Sequence, residues 1–159
     1  MFWTSSVHEN NCSIWRSWMD GTNSTQLVTG LNGPRGITID FHHSRRLYWV
    51  SFHDRRVESS DMEGQDFKTI LQLSAVSDPI GVGVLGGRLY WTTSSQRTLE
   101  SSTVSGKDVQ LLHNDTSQLF YMTVVPRPDY LPQNRQNHCE NQSCTKVCVL
   151  TPTSYRCLS

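Results

Sequence analysis

The 159 residues contain no apolar run approaching the ~20 that a membrane-crossing helix needs, so no helical span is expected within them. An excess of charge of either sign is also missing. Fourteen basic and 14 acidic residues cancel, which removes any global pull toward nucleic acid or an anionic membrane surface. Charged residues as a whole are scarce, at 18% against roughly 25% in ordinary soluble domains, whereas Trp, Tyr, Ser and Thr are plentiful; this balance leans toward an all-β extracellular protein. Cysteine is absent between Cys12 and Cys139, so no disulfide framework runs through the bulk of the chain. The start, Met1-Phe2-Trp3-Thr4-Ser5-Ser6-Val7-His8-Glu9, lacks the charged beginning and apolar centre of a secretory leader. A secreted-type composition without a leader is expected of a fragment, with Met1 an internal residue of a longer chain.

Signatures of catalysis are missing too. There is no Gly-x-Ser-x-Gly elbow, no His-Glu-x-x-His and no Gly-rich loop of the phosphate-cradling kind. Gly81-Val82-Gly83-Val84-Leu85-Gly86 spaces two glycines like a nucleotide fingerprint, but it reads as a strand and a hairpin turn with no helix to follow. Carboxylates such as Asp20, Asp40 and Glu58 read as scattered over turns, with no convergent pair. No enzymatic activity, cofactor or metal is expected.

What the chain does have is a repeat. Shifted by 42 residues, Arg46-Leu47-Tyr48-Trp49 falls on Arg88-Leu89-Tyr90-Trp91, Arg55 on Arg97, Glu58-Ser59-Ser60 on Glu100-Ser101-Ser102, Gly64 on Gly106 and Asp66 on Asp108. Ten of the 26 positions from 46 to 71 are identical, too many for coincidence. A third copy opens the chain with Met1-Phe2-Trp3-Thr4 and continues through Ile14-Trp15-Arg16-Ser17-Trp18-Met19-Asp20-Gly21. Periods in the low forties holding several short strands are the mark of propeller blades.

Within the middle copy, Ile37-Thr38-Ile39 and Leu47-Tyr48-Trp49-Val50 are the first two strands, Val57 to Met62 the third and Phe67 to Leu71 the fourth. Glu63-Gly64 makes the tight turn between the last two, as Asp20-Gly21 and Ser105-Gly106 do in the other copies. The strands therefore run 2-3-4, then 1-2-3-4 twice, then a lone first strand over 121–125. Three blades do not close a ring, so blade faces and strand edges are expected to stand open.

This blade motif, with Leu-Tyr-Trp at 47–49 and 89–91, Phe-Trp at 2–3 and Pro34-x-Gly36-Ile37-Thr38-Ile39-Asp40 ahead of one copy, resembles the class B (YWTD-type) repeats of the low-density-lipoprotein receptor family. In that family six such repeats make one propeller, followed by an EGF-like module. The resemblance implies an all-β fold comprising a partial, about three-blade, portion of a six-bladed propeller at 1–125, a connector at 126–138 and a truncated EGF-like module at 139–159. The family's Asp after Trp-Thr is absent: Ser5, Ser51 and Thr93 occupy its place. Those shorter hydroxyls can bond locally but reach less far between blades.

Clustering of Cys139, Cys144, Cys148 and Cys157 in the last 21 residues points to a small disulfide module. By resemblance to the first four cysteines of an EGF-like module, Cys139 is expected to pair with Cys148 and Cys144 with Cys157. Zinc, with His138 as a further ligand, is the alternative; structural zinc sites usually show C-x2-C pairs, and none occurs here. Arg135-Gln136-Asn137-His138 lacks the acids of a calcium-binding version.

Four sequons, at Asn11, Asn23, Asn114 and Asn141, are candidate glycosylation sites, with Asn23 and Asn114 on the most favourable turns. His42 and His43, with Arg45 and Arg46, form one basic cluster; His53, with Arg55 and Arg56, forms another. They belong to turns at opposite ends of a blade, so one groove for nucleic acid is not expected. Endocytic receptors of the family release ligands in acidic compartments, and the resemblance makes His42, His43 and His53 candidate pH sensors against the plainer reading of solvated turn histidines.

The resemblance implies a receptor ectodomain at the cell surface or in the endosome lumen, secreted if made alone behind a leader. Its implied partners are extracellular protein ligands, taken up or released, and the remaining blades of the parent propeller. A Wnt-type co-receptor and a nidogen-like matrix protein share the architecture; a propeller hydrolase is the alternative of a different class.

Overall fold

The computed structural model describes residues 1–6, 11–114 and 121–124, and the backbone of Val147–Leu150 and Tyr155–Leu158. The described residues are all β. Strands β1 (Phe2–Ser5), β2 (Cys12–Arg16) and β3 (Thr25–Leu31) form one sheet. A second contains β4 (Pro34–Asp40), β5 (Arg46–Ser51), β6 (Arg56–Asp61) and β7 (Lys68–Gln72). β8 (Pro79–Leu85), β9 (Arg88–Thr93), β10 (Thr98–Thr103) and β11 (Gln110–Asn114) form the third. Every neighbouring pair is antiparallel and sequential, so each sheet is a meander, as the 42-residue period requires. β12 (Val147–Leu150) and β13 (Tyr155–Leu158) make a separate hairpin.

The sheets stack face to face, and the aromatic of each repeat lies between them. Trp49 is fully buried in a cluster with Leu47 and, from the preceding sheet, Cys12, Ile14, Val28 and Leu31. Trp91 and Leu89 sit one blade later with Tyr48, Val50 and Val57. The Leu-Tyr-Trp repeat is thus packing between blades, and the large rings supply much of the apolar area that holds the stack.

Turn glycines set the spacing. Gly64, at φ 79°, lies so close to the preceding sheet that a Cβ there would stand 2.4 Å from the Leu27 carbonyl oxygen. Gly106, at φ 76°, has the same relation to Ile70. Arg16 adds a polar link across the first boundary, donating from one guanidinium nitrogen to the Met62 carbonyl at 3.1 Å and to Glu63 Oε1 at 2.5 Å.

Two expectations need correction. Residues 121–124 form no strand, although they lie against β8: a Cβ on Gly81 would come 2.9 Å from the Met122 nitrogen. The segment has the position of a first strand, but no second strand of its own blade pairs with it among the described residues. Glu58 does not lie on a turn. It is in the middle of β6, 2% exposed, directly opposite Trp49.

Candidate ligand-binding face

The ladder between β4 and β5 pairs Pro34 with Ser51 at one end and Asp40 with Arg46 at the other, which fixes what each end displays. At the Asp40 end, the carboxyl of Asp40 accepts the backbone N–H groups of His42, His43 and Ser44 at 3.0–3.1 Å and the Ser44 hydroxyl at 2.9 Å. Burial opposes the charge of Asp40, but these donors, His43 N–H foremost and then Ser44, outweigh it and hold the carboxyl below its ordinary value. His43 Nδ1 stands 3.6 Å from Asp40, and His42 and His43 are both exposed.

The same end carries a device that recurs. Arg46 donates to the Asp66 carboxylate at 2.6 Å, to the Asp66 carbonyl and to Ser59 Oγ; Arg88 does the same with Asp108, at 2.7 Å, and Ser101. Each arginine clamps the start of a second strand to the turn before the fourth. Asp66 and Asp108 sit in left-handed conformations, φ 50° and 53°, where a short side chain bonding locally is favoured. Hydrogen bonds from Lys68 and then Arg46 hold the pKa of Asp66 below the ordinary carboxylate value, as those from Arg88 and then Gln110 do for Asp108. The identities Arg46/Arg88 and Asp66/Asp108 were visible in the repeat; their pairing with each other was not.

At the opposite end, His53 lies beside Phe52 and, across the β4–β5 pairing, Arg35. The guanidinium of Arg35 lies 3.9 Å above the Phe52 ring centre, and Phe52 meets His53 edge to face at 5.2 Å. His53 lies over Gly33, where a Cβ would stand 2.6 Å from its ring. Asn32 donates to Asp54 at 2.8 Å, and Gln72 donates to the carbonyls of Asp54 and Arg55, so the 52–55 turn is held from both sides. Arg35 and His53 are exposed, on a braced backbone. A stacked Arg and aromatic of this kind suits contact with another protein, because it offers planar area with little entropy left to lose.

On the same end, Ser77 donates to Gln96 at 2.8 Å and Ser95 bonds Asp78. Near them a cavity of about 280 Å³ opens between the second and third sheets, lined by Leu71, Leu73, Ser77, Trp91, Glu100 and Val109. One blade earlier, Phe67 packs on Trp49 with ring centres 5.7 Å apart; Val109, which lines this cavity with Trp91, holds the place of Phe67.

His42 and His43 are therefore together and His53 is at the far end of the blade, so the structure does not gather the three into one site. Among the described residues, no group of three or more His, Cys, Asp or Glu is arranged to hold a metal. Asn11, Asn23 and Asn114 are all exposed, Asn23 in a left-handed turn at φ 54°. Cys148 is directly opposite Cys157 in the β12–β13 register. Cys139, Cys144 and Asn141 lie outside the described residues, as do the connector 126–138 and residue 125. No helix among the described residues is long and apolar enough to cross a membrane.

No family model matches the chain. Individual proteins do. A stretch of 75 residues is 37% identical to protein cueball of Aedes aegypti, covering 45% of this chain and 11% of that protein. Over 53 residues, 33% of this chain and 3% of the relative, it is 42% identical to low-density lipoprotein receptor-related protein 5 of both Mus musculus and Homo sapiens. Among solved structures, a propeller in the crystal structure of a nidogen/laminin complex matches with a TM-score of 0.61 and 27% identity, over 68% of this chain and 42% of the other.

The chain carries class B repeats of the low-density-lipoprotein-receptor-related family. These class B repeats form a partial YWTD-type propeller, and the matched stretches span well under two thirds of the relatives' own length. Regucalcin from Agrobacterium tumefaciens (TM-score 0.62, 10% identity, 75% and 42% coverage) and a gluconolactonase from Xanthomonas campestris (0.58, 16%, 70% and 37%) share the fold alone. Where other class B repeats place an Asp after Trp-Thr, the hydroxyls here bond inside their own blade: Ser51 to Glu58 at 2.5 Å and Thr93 with Thr98 at 2.7 Å.

Proposed function

We propose that this chain is part of the ectodomain of an endocytic receptor related to the low-density-lipoprotein receptor, which binds extracellular protein ligands and takes them up or releases them. The observation that carries this reading is the class B blade itself, built around Trp49 and Trp91, with 42% identity to low-density lipoprotein receptor-related protein 5 across a blade-length stretch. The Arg35–Phe52–His53 cluster is the face we assign to protein ligands. In this reading, residues 1–125 are propeller, 126–138 connector and 139–159 an EGF-like module with Cys139–Cys148 and Cys144–Cys157 bonds. Asn11, Asn23, Asn114 and Asn141 are its glycan acceptors, Asn23 and Asn114 foremost.

Binding is favoured over hydrolysis because the carboxylates available for chemistry are occupied in structure. Asp20 accepts from Thr22, Asp40 from its turn backbone, and Glu58 from Trp49 and Ser51. A matrix-binding role has the nidogen/laminin match in its favour. The full-length transcript separates these readings: an endocytic receptor encodes cysteine-rich repeats upstream, then a membrane helix and a short cytoplasmic internalisation signal, whereas a matrix protein encodes no membrane helix. Absence of the helix and tail would overturn the receptor reading.

His42, His43 and His53 are proposed to assist ligand release in acid, since imidazoles gain charge across the endosomal range. Unaltered acid release by a His42→Ala/His43→Ala/His53→Ala receptor would remove that role.

A further inference from the structure

The second and third sheets are built on one plan and differ at two positions that matter for the space beside them. In the second sheet, Arg56 brings Nη1 to 4.0 Å from Glu58 and donates from Nε to Gln72 at 2.9 Å, and Phe67 packs on Trp49. Thr98 and Val109 stand 42 residues on from Arg56 and Phe67, so the third sheet has neither the guanidinium nor the ring. Both changes are from a large side chain to a small one. The cavity of about 280 Å³ opens beside them, between Glu100 and Val109 of the third sheet and Leu71 and Leu73 of the second.

Loss of the arginine changes the surroundings of the glutamate. Glu58 is 2% exposed and accepts from Trp49 and Ser51 inside the blade. Glu100 is only half-buried; it accepts from Thr98 at 2.7 Å, and Thr98 is bonded in turn to Thr93. Its carboxylate lines the cavity, with a threonine where the preceding blade has a cation. A carboxylate partly withdrawn from water is costly unless a positive charge is brought to it, and the cavity leaves room for one.

We propose that this cavity takes an arginine side chain of a protein ligand, which supplies to Glu100 the guanidinium that Arg56 supplies to Glu58. Leu71, Leu73 and Val109 give the apolar stem a wall to lie against. At the exposed rim, Gln96 Oε1 already accepts from Ser77 and has a second lone pair, so amide and carboxylate oxygens both face a planar group with five donors. Asp78, bonded by Ser95, adds negative charge nearby, and Arg97 is engaged in an interaction of its own. A lysine ammonium would reach Glu100 as a more strongly hydrated point charge, and an acidic side chain would be repelled by it.

The cavity belongs to the same end of the blades as the Arg35–Phe52–His53 cluster, so an arginine seated in it anchors a ligand that also covers that cluster. Arginines held in a pocket of this kind are among the side chains that carry most of the energy of a protein contact. The assignment rests on the ligand-binding reading and names the residue such a ligand presents. The two fail separately: the transcript tests the receptor, whereas a small guanidinium probe tests the cavity.

The test is an amide NMR titration of the full chain with N-acetyl-L-argininamide. The backbone signals of Leu73, Gln96 and Glu100 are expected to shift together, with half-saturation at about a few millimolar. N-acetyl-L-lysinamide is expected to bind several-fold more weakly, and the norleucine analogue, which has the stem without the charge, to leave the signals in place. Glu100→Gln is expected to weaken the arginine response by roughly tenfold, and Val109→Phe to abolish it by filling the cavity. Should Val109→Phe fail to fold, Glu100→Gln decides. Random peptides displayed on phage and selected on the chain are expected to be enriched in arginine over lysine, and to lose that preference on Glu100→Gln. No shift, an equal shift with the norleucine analogue, a response unaltered by Glu100→Gln, or peptides without an arginine preference would each overturn the proposal.

Discussion

Trp49 donates its indole N–H to the buried Oε2 of Glu58 at 2.9 Å, directly across the β5–β6 ladder, and Ser51 donates to the same oxygen at 2.5 Å. The equivalent pair in the next blade is broken. Glu100 accepts instead from Thr98, the residue at Arg56's position, and Trp91 Nε1 is buried without a partner among the described residues. Identical residues at 49/91 and 58/100 thus do different work because residue 56 and residue 98 differ.

Glu58→Ala leaves both the Trp49 N–H and the Ser51 hydroxyl unmet in a dry site. It is expected to cost about 3 kcal/mol in urea unfolding. Glu100→Ala is expected to cost less, about 1 kcal/mol, because Trp91 already lacks a partner. Equal losses would mean that the Trp49–Glu58 bond contributes nothing special. Trp49→Ala, which empties a buried ring's volume between blades, is expected to cost roughly 3–5 kcal/mol as a folding defect.

Gly64→Ala combines left-handed strain with a collision against the Leu27 carbonyl, for an expected loss of about 3 kcal/mol. Gly21→Ala, in a turn of the same conformation facing open space, is expected to cost only the strain, about 1 kcal/mol. Thermal melts of the two variants in dilute chain check the difference; similar losses would argue against blade stacking at Gly64.

Val109→Phe restores over Trp91 the ring that Phe67 provides over Trp49. It is expected to fill part of the 280 Å³ space and raise stability by about 1 kcal/mol. A destabilised variant would show that the cavity walls do not admit the ring.

Asp40 has its folded pKa depressed, so its contribution to stability is complete above the ordinary carboxylate range and is lost as pH falls through the folded value. The exposed Asp66 and Asp108 act with the same sign. Asp40→Asn is expected to be less stable at neutral pH and to show a shallower fall between about pH 5 and pH 2, followed by fluorescence of unfolding. A slope unchanged from wild type would remove Asp40 from the acid response.

The strands and their order were legible because Leu-Tyr-Trp and the turn glycines Gly64 and Gly106 recur at one spacing. Glu58 was not, since Val57–Ser60 shows little alternation. β6 is packed on both faces by neighbouring sheets, so Glu58, Ser59 and Ser60 are all buried and the usual inside-outside pattern disappears. The strand expected at 121–125 failed for another reason: its residues specify an inner strand, but a ladder needs a partner that pattern alone does not supply. Of the candidate face, His53 was legible as a polar turn residue. Arg35 and Phe52 were not, because 17 residues separate them and only the β4–β5 pairing brings them together.

We propose that the class B propeller is extracellular and joined to a disulfide module. Peptide mapping of the native protein by mass spectrometry, without reduction and with glycans retained, tests it most directly. The expected result is N-glycan on Asn23 and Asn114, with Cys139 joined to Cys148 and Cys144 to Cys157. Bare asparagines together with four free thiols would contradict it.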